Sequence, residues 1–121
     1  MVIDVTLLGE PRSTNHIYKS MCRGKFASVY MSKQGKDLKE EYQWQIKSSF
    51  KGKPTSKEVD VVINLYFGVK RKHDVDNYNK LILDACSGLI WEDDSQIQSL
   101  LVVKHYDKEN PRAELTIDIA N

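Results

Sequence analysis

The sequence predicts an α+β domain: a mixed β-sheet with two α-helices packed against it. Three observations carry this. The stretch from Glu58 to Phe67 alternates, with Val59, Val61, Ile63, Leu65 and Phe67 on one face. Two other stretches repeat apolar residues at helical spacing. Shorter alternating runs stand at both ends of the chain, giving the order β, weak β, α, β, α, β, β.

The first strand is Val2 to Leu8, with Ile3, Val5 and Leu7 on one side. Gly9 to Asn15 breaks it with Pro11, Ser13, Thr14 and Asn15. Lys25 to Met31 alternates behind the turn signal Gly24, which predicts a hairpin. Ser32 is placed to cap a helix reaching about Phe50, with Leu38, Tyr42, Ile46 and Phe50 four apart. Gly52 and Pro54 mark a loop. The Glu58–Phe67 strand follows; Val62 and Tyr66 make its second face partly apolar too, as a central strand requires. A second helix spans about Asn77 to Ser87. Tyr78, Leu81, Ile82, Ala85 and Leu89 form its apolar stripe, and Gly88 ends it. Gln96 to Tyr106 and Arg112 to Ile119 are two further strands, with Asn110-Pro111 between them, and are expected to pair as a hairpin.

With 121 residues, the chain suits one domain spanning 1–121. Apolar residues are 40% and charged residues 29%, a soluble composition, and neither a membrane span nor a signal-peptide pattern is present. Cys22 and Cys86 have no metal-finger spacing and read as free thiols in a reducing cytoplasm. Net charge is +1, so overall charge says nothing about nucleic acid. Its distribution says more. Pro11 to Lys36 holds Arg12, Lys19, Arg23, Lys25, Lys33 and Lys36 and no acid. Leu81 to Val103 holds Asp84, Glu92, Asp93 and Asp94 and no base. Such separation suits a basic face around an acidic pocket; a lysine-solubilised loop is the plainer reading of the first stretch.

Chemistry concentrates between Lys70 and Asp94. Lys70, Arg71, Lys72 and His73 are basic, Asp74 and Asp76 follow, and Lys80 stands four residues after Asp76. Glu92, Asp93 and Asp94 close the stretch. Clustered carboxylates hold a hard cation through oxygen, and basic groups meet phosphate, so this is the equipment of a Mg²⁺-dependent nuclease. In extended backbone Asp74 and Asp76 would point to one side, about 7 Å apart. Asp76 is also placed to cap the second helix. Lys80 shares its face at i, i+4 and would point into the same pocket, where it could stabilise charge building on phosphate. The Glu92–Asp94 loop must fold back to complete the set.

Each feature has a plainer reading. An isolated DxD is common, Glu92-Asp93-Asp94 serves as a solvated turn, and Lys70-Arg71-Lys72 as a soluble loop. Their conjunction points to a metal site. An EF-hand is excluded, because its sixth position is Asn79 rather than Gly and its twelfth is Ala85 rather than Glu. His73 is expected to contact phosphate or lie on the surface, and Trp91 is expected in the core. His16 and His105 carry no usable signal.

At these residues the sequence resembles the RusA family of Holliday-junction resolvases. The likeness lies in the DVDN–x–x–K segment from Asp74 to Lys80, in Leu83-Asp84-Ala85 and in Trp91-x-Asp93-Asp94. Pro11-x-Ser13-x-Asn15 with Tyr18, Ser32-x-x-Gly35 and the closing Glu114-Leu115-Thr116-Ile117 extend it over nearly the whole chain. The resemblance implies a homodimeric, bacterial or phage-encoded, cytoplasmic endodeoxyribonuclease. It would nick four-way DNA junctions symmetrically in recombination and repair, using Mg²⁺ or Mn²⁺. It also implies Asp74, Asp76 and Asp94 as metal ligands and Lys80 as the catalytic lysine, with Asp93 in a lesser role. Arg12, Asn15, Lys19, Lys70, Arg71 and Lys72 would contact DNA. His73 directly before Asp74 departs from the family's pattern of basic residues. Two other readings stand beside this one: a nuclease of the same fold acting on other branched or flap DNA, and a DNA-binding protein without turnover.

Overall fold

In the computed structural model, side chains are described for residues 1–13 and 33–121, and backbone alone for 18–23 and 26–31. The elements run β1 (Val2–Leu8), β2 (Tyr18–Arg23), β3 (Phe26–Met31), α1 (Lys33–Ser49), β4 (Val59–Phe67), α2 (Asp76–Cys86), a 3₁₀ turn (Asp94–Gln96), β5 (Ile97–Tyr106) and β6 (Arg112–Ile119). The expected α+β class, mixed sheet and two helices are all present. β2 and β3 form the expected hairpin as a separate two-stranded sheet. The proposed cap Ser32 lies outside the described residues, as do Gly24, His16 and Asn15.

The main sheet has the order β1-β6-β4-β5. β4 pairs parallel with β5 and antiparallel with β6, and β1 pairs antiparallel with β6. β4 is thus central, as its two-sided apolar pattern predicted. Its residues Val59, Val61, Ile63, Leu65 and Phe67 are all buried, alongside Val5 and Leu7 of β1 and Leu115 and Ile117 of β6. Burying one such side chain contributes about 1.5–3 kcal/mol. Both helices send their predicted stripes into this core: Tyr42 and Ile46 from α1, Leu81, Ile82 and Ala85 from α2. Gly88 takes φ +87 just past α2, the left-handed conformation that ends a helix cheaply in glycine.

The expected β5–β6 hairpin does not form. Residues 107–111 carry the chain over the end of β4, and β6 enters the sheet between β1 and β4. The reason lies in β4, whose apolar alternation is buried only with a strand on each side. β5 instead reaches β4 through α2, a β-α-β crossover that sets the pair parallel. Arg112 fixes the crossing loop. Its guanidinium sits 3.8 Å over the Tyr66 ring and donates to Asp107 (2.8 Å), the Asn110 carbonyl (2.8 Å) and Glu114 (3.1 Å). The hydrogen bond from Arg112 holds the Asp107 carboxyl below its ordinary value of 3.8.

Candidate metal and DNA site around helix α2

β4 delivers the chain to Gly68, whose position admits no side chain. A Cβ there would stand 2.8 Å from Pro111 and 3.0 Å from Glu10. Glu10 accepts the Gly68 amide at 2.9 Å, and the Gly9 amide donates to the Pro111 carbonyl at 3.1 Å. The 9–12 turn, with exposed Arg12, is therefore fastened beside exposed Lys70, Arg71 and Lys72. These four cations form a basic rim at the C-terminal end of β4. The side chain of Lys19 lies outside the described residues, as does Asn15.

His73 is a correction. It is buried, 7% exposed, and its ring stacks on Phe67 at 3.8 Å and 8°. Nε2 donates to the Val69 carbonyl at 3.2 Å, which in the neutral ring leaves Nδ1 to accept from the Tyr78 hydroxyl at 3.0 Å. Lys104 donates to the His73 carbonyl and Tyr106 to the Arg71 carbonyl. The ring that the sequence suggested for phosphate is instead the anchor that ties the basic loop to the sheet; an aromatic surface at Phe67 outcompetes solvent for it. His73→Ala removes the stack and two hydrogen bonds. It should cost about 1–3 kcal/mol in urea unfolding and cause a general weakening of DNA binding, since the loop loses its support.

Asp74 and Asp76 follow immediately and are exposed. They do not sit in extended backbone. Val75 between them is helical (φ −59, ψ −31), and the Asn77 amide donates to the Asp74 carbonyl at 3.0 Å. α2 starts at Asp76, one residue earlier than expected, with Val75 at the N-cap and no side-chain capping bond. Asp76 is thus a first-turn acid, favourable at the positive end of the helix, and not the cap. Residues two apart on such a turn do not face each other. Lys80 is exposed and pairs with Asp84 at 3.7 Å, the i+4 residue ahead of it, whereas the sequence suggested Asp76 behind it.

Asp94 lies at the other end of α2. The helix runs from Asp76 to Cys86, about 15 Å at 1.5 Å per residue. The chain then turns through Trp91 to the start of β5, where Ile97 pairs with Val59 at the opposite end of β4 from Phe67. The Asp94 carboxylate accepts the indole N–H of buried Trp91 at 2.8 Å. It also lies near Cys86, a free thiol that burial, with a smaller contribution from Asp94, pushes far up from its ordinary pKa. The expected folding back of this acidic loop onto Asp74 and Asp76 does not occur. Among the described residues no three His, Cys, Asp or Glu side chains gather closely enough to hold a metal ion.

The acidic loop is nonetheless built rather than loose. Asp93 caps the 3₁₀ turn, accepting the Ser95 amide at 2.9 Å, which draws its pKa down. Gln96 accepts the amides of Glu92 (3.0 Å) and Asp93 (2.8 Å) and donates to the carbonyls of Thr55 (2.8 Å) and Lys57 (2.7 Å). Sequence reading missed Gln96, Lys104 and Tyr106 as positioning residues. The capping-box spacing Asp93-x-x-Gln96 was the available signal for the first; nothing marks the other two.

The sequence model for Endodeoxyribonuclease RusA matches residues 9–118. The chain belongs to the RusA endodeoxyribonuclease family. A curated relative, the uncharacterized protein YqaN of Bacillus subtilis (strain 168), is 52% identical over 46 residues. That stretch is 38% of this chain and 32% of the relative, so the match spans about a third of the relative's length. No helix among the described residues is long and apolar enough to cross a membrane.

Proposed function

We propose that this RusA-family chain is a Mg²⁺-dependent endodeoxyribonuclease that resolves four-way DNA junctions by paired nicks, acting as a homodimer in recombination and repair. The observation that carries the reading is the placement of exposed Asp74, Asp76 and Lys80 on the first turns of α2, directly behind the basic rim of Arg12, Lys70, Arg71 and Lys72. A phosphate held by the rim stands beside the acids and the lysine. Family membership supports the nuclease class and the junction substrate.

Three aspartates are the oxygen donors that Mg²⁺ takes, so the set fits by chemistry. By position it fits in part: Asp74 and Asp76 share one end of α2, and Asp94 sits at the other. The proposed homodimer supplies the missing carboxylate, with Asp74 and Asp76 from one protomer and Asp94 from the second. When bound, such an ion supplies a more acidic water and neutralises phosphate charge. The protein's own share is positional. Lys70, Arg71 and Lys72 bind the backbone, His73 holds their loop, Trp91 and Gln96 orient Asp94, and Lys80 meets charge developing on phosphate.

The test is cleavage of a synthetic four-way junction beside linear duplex, with Mg²⁺ and with chelator. Junction-selective, chelator-sensitive nicking is expected; equal cutting of both substrates, or none, would overturn the reading. The rim has its own test. Replacing Lys70, Arg71 and Lys72 together should weaken binding to every DNA form. Each lost phosphate contact should flatten the log–log salt slope by about 0.9, and an unchanged slope would remove the rim from the interface.

A further inference from the structure

β5 ends the main sheet, with β4 on one side and no strand on the other among the described residues. It is unlike the opposite edge. β1 has seven residues, carries polar Asp4 and Thr6 outward, and has its Leu8 amide bonded to the Gln45 side chain at 2.7 Å. β5 has ten residues, no proline or glycine and one formal charge, Lys104. It is apolar on both faces, with Leu100 38% exposed, Leu101 57% and Tyr106 43%. Natural proteins blunt such an edge or cover it, because its free backbone groups template pairing with another chain. Nothing in β5 blunts it.

We propose that β5 is the dimer interface, pairing antiparallel with β5 of a second copy across a two-fold axis at Leu101. The occupant follows from self-complementarity. A two-fold axis normal to the sheet keeps both pairs of helices on one face, and it sets residues whose numbers sum to an even value opposite each other. Centred on Leu101, it opposes Leu101 to itself, Leu100 to Val102 of the partner subunit and Ser99 to Val103 of the partner subunit. Lys104 meets Gln98 of the partner subunit, so no like charges face across the strand pair.

The same axis accounts for the divided acids. Gln96 falls opposite Tyr106 of the partner subunit. In each protomer Tyr106 and Lys104 hold the carbonyls of Arg71 and His73. Asp94, two residues before Gln96, is thereby carried to the partner's basic loop, next to that protomer's Asp74 and Asp76. An antiparallel partner on this edge brings the start of one β5 to the end of the other, which is the displacement the acids need. This surface deepens the nuclease reading and rests on it for that last consequence alone; the exposed edge stands without it.

The test reads oligomeric state in the absence of DNA, so it does not depend on cleavage. Sedimentation should find wild type dimeric. Leu101→Asp places two carboxylates on the axis and should raise the dimer dissociation constant on the order of a hundredfold or more, with the far-UV spectrum unchanged. Should that variant fail to fold, Leu101→Cys serves instead. It should form a covalent dimer under mild oxidation well above the wild-type background, while Thr6→Cys on the other edge should not. A monomeric wild type, a dimer indifferent to Leu101→Asp, or a Leu101→Cys chain that crosslinks no more than wild type would each overturn this interface. Cleavage that fails while the Leu101 results hold would instead overturn the nuclease reading and leave the interface standing.

Discussion

Asp74→Asn, Asp76→Asn and Asp94→Asn should each abolish junction cleavage while leaving junction binding intact or tighter. Each substitution removes a ligand for a hard cation. None removes a cation that meets DNA, and each relieves repulsion with phosphate. Mixing experiments carry the sharper expectation. In a heterodimer of Asp74→Asn and Asp94→Asn, one site inherits both defects and the other is intact. After random subunit exchange roughly a quarter of wild-type nicking should return. A mixture of Asp74→Asn and Asp76→Asn should recover nothing, because both residues come from the same protomer and every site holds one defect. Recovery in both mixtures, or in neither, would show that Asp94 does not reach across the dimer. Cleavage at wild-type rate by any single variant would remove that residue from the site.

The divided acids also show what local pattern conveys and what it does not. Alternation along β4 named its buried face and its central place, because burial on both sides leaves a mark on every residue. The stripe Tyr78, Leu81, Ile82 and Ala85 named α2 for the same reason. Pairing is a different matter. β5 and β6 each read as strands, but periodicity gives a strand's faces and not its neighbour. Nothing local says that β6 should leave β5 for the slot beside β4. Closeness in sequence misled in the same way at Asp94. It follows Asp76 by 18 positions, and an intervening helix takes it to the far end of the sheet. His73 was hidden by its company: among Lys70, Arg71 and Lys72 it reads as one more basic surface residue, and only the nearness of Phe67 buries it. At the start of α2 propensity misplaced the boundary by one. Asp is a strong cap and Val a poor one, yet Val75 occupies the N-cap while Asp76 contributes its charge to the first turn.

Lys80 should show the largest effect of any basic residue. Two roles compete for it. As the partner of Asp84 at 3.7 Å, on an exposed surface, it would contribute about 0.2–0.5 kcal/mol to the helix. As a cation one turn from Asp76, it would stabilise charge that appears on phosphate mainly in the transition state. The geometry favours the second. Lys80 lies on the solvent side of α2, while Leu81 and Ile82 turn into the core. A flexible pair with Asp84 leaves the ammonium able to swing to a bound phosphate at little cost. Lys80→Ala should therefore keep the fold, the dimer and junction binding, and lose on the order of a hundredfold or more in single-turnover cleavage. Lys80→Arg should restore only part of that, since a planar fork does not reproduce a compact ammonium. Asp84→Asn is the control: it removes the helix pair and leaves Lys80, so it should cost a few tenths of a kcal/mol in stability and almost nothing in rate. If Lys80→Ala instead behaves like Asp84→Asn, near wild type in cleavage and slightly less stable, then Lys80 is a helix residue and the phosphate charge is met elsewhere on the rim.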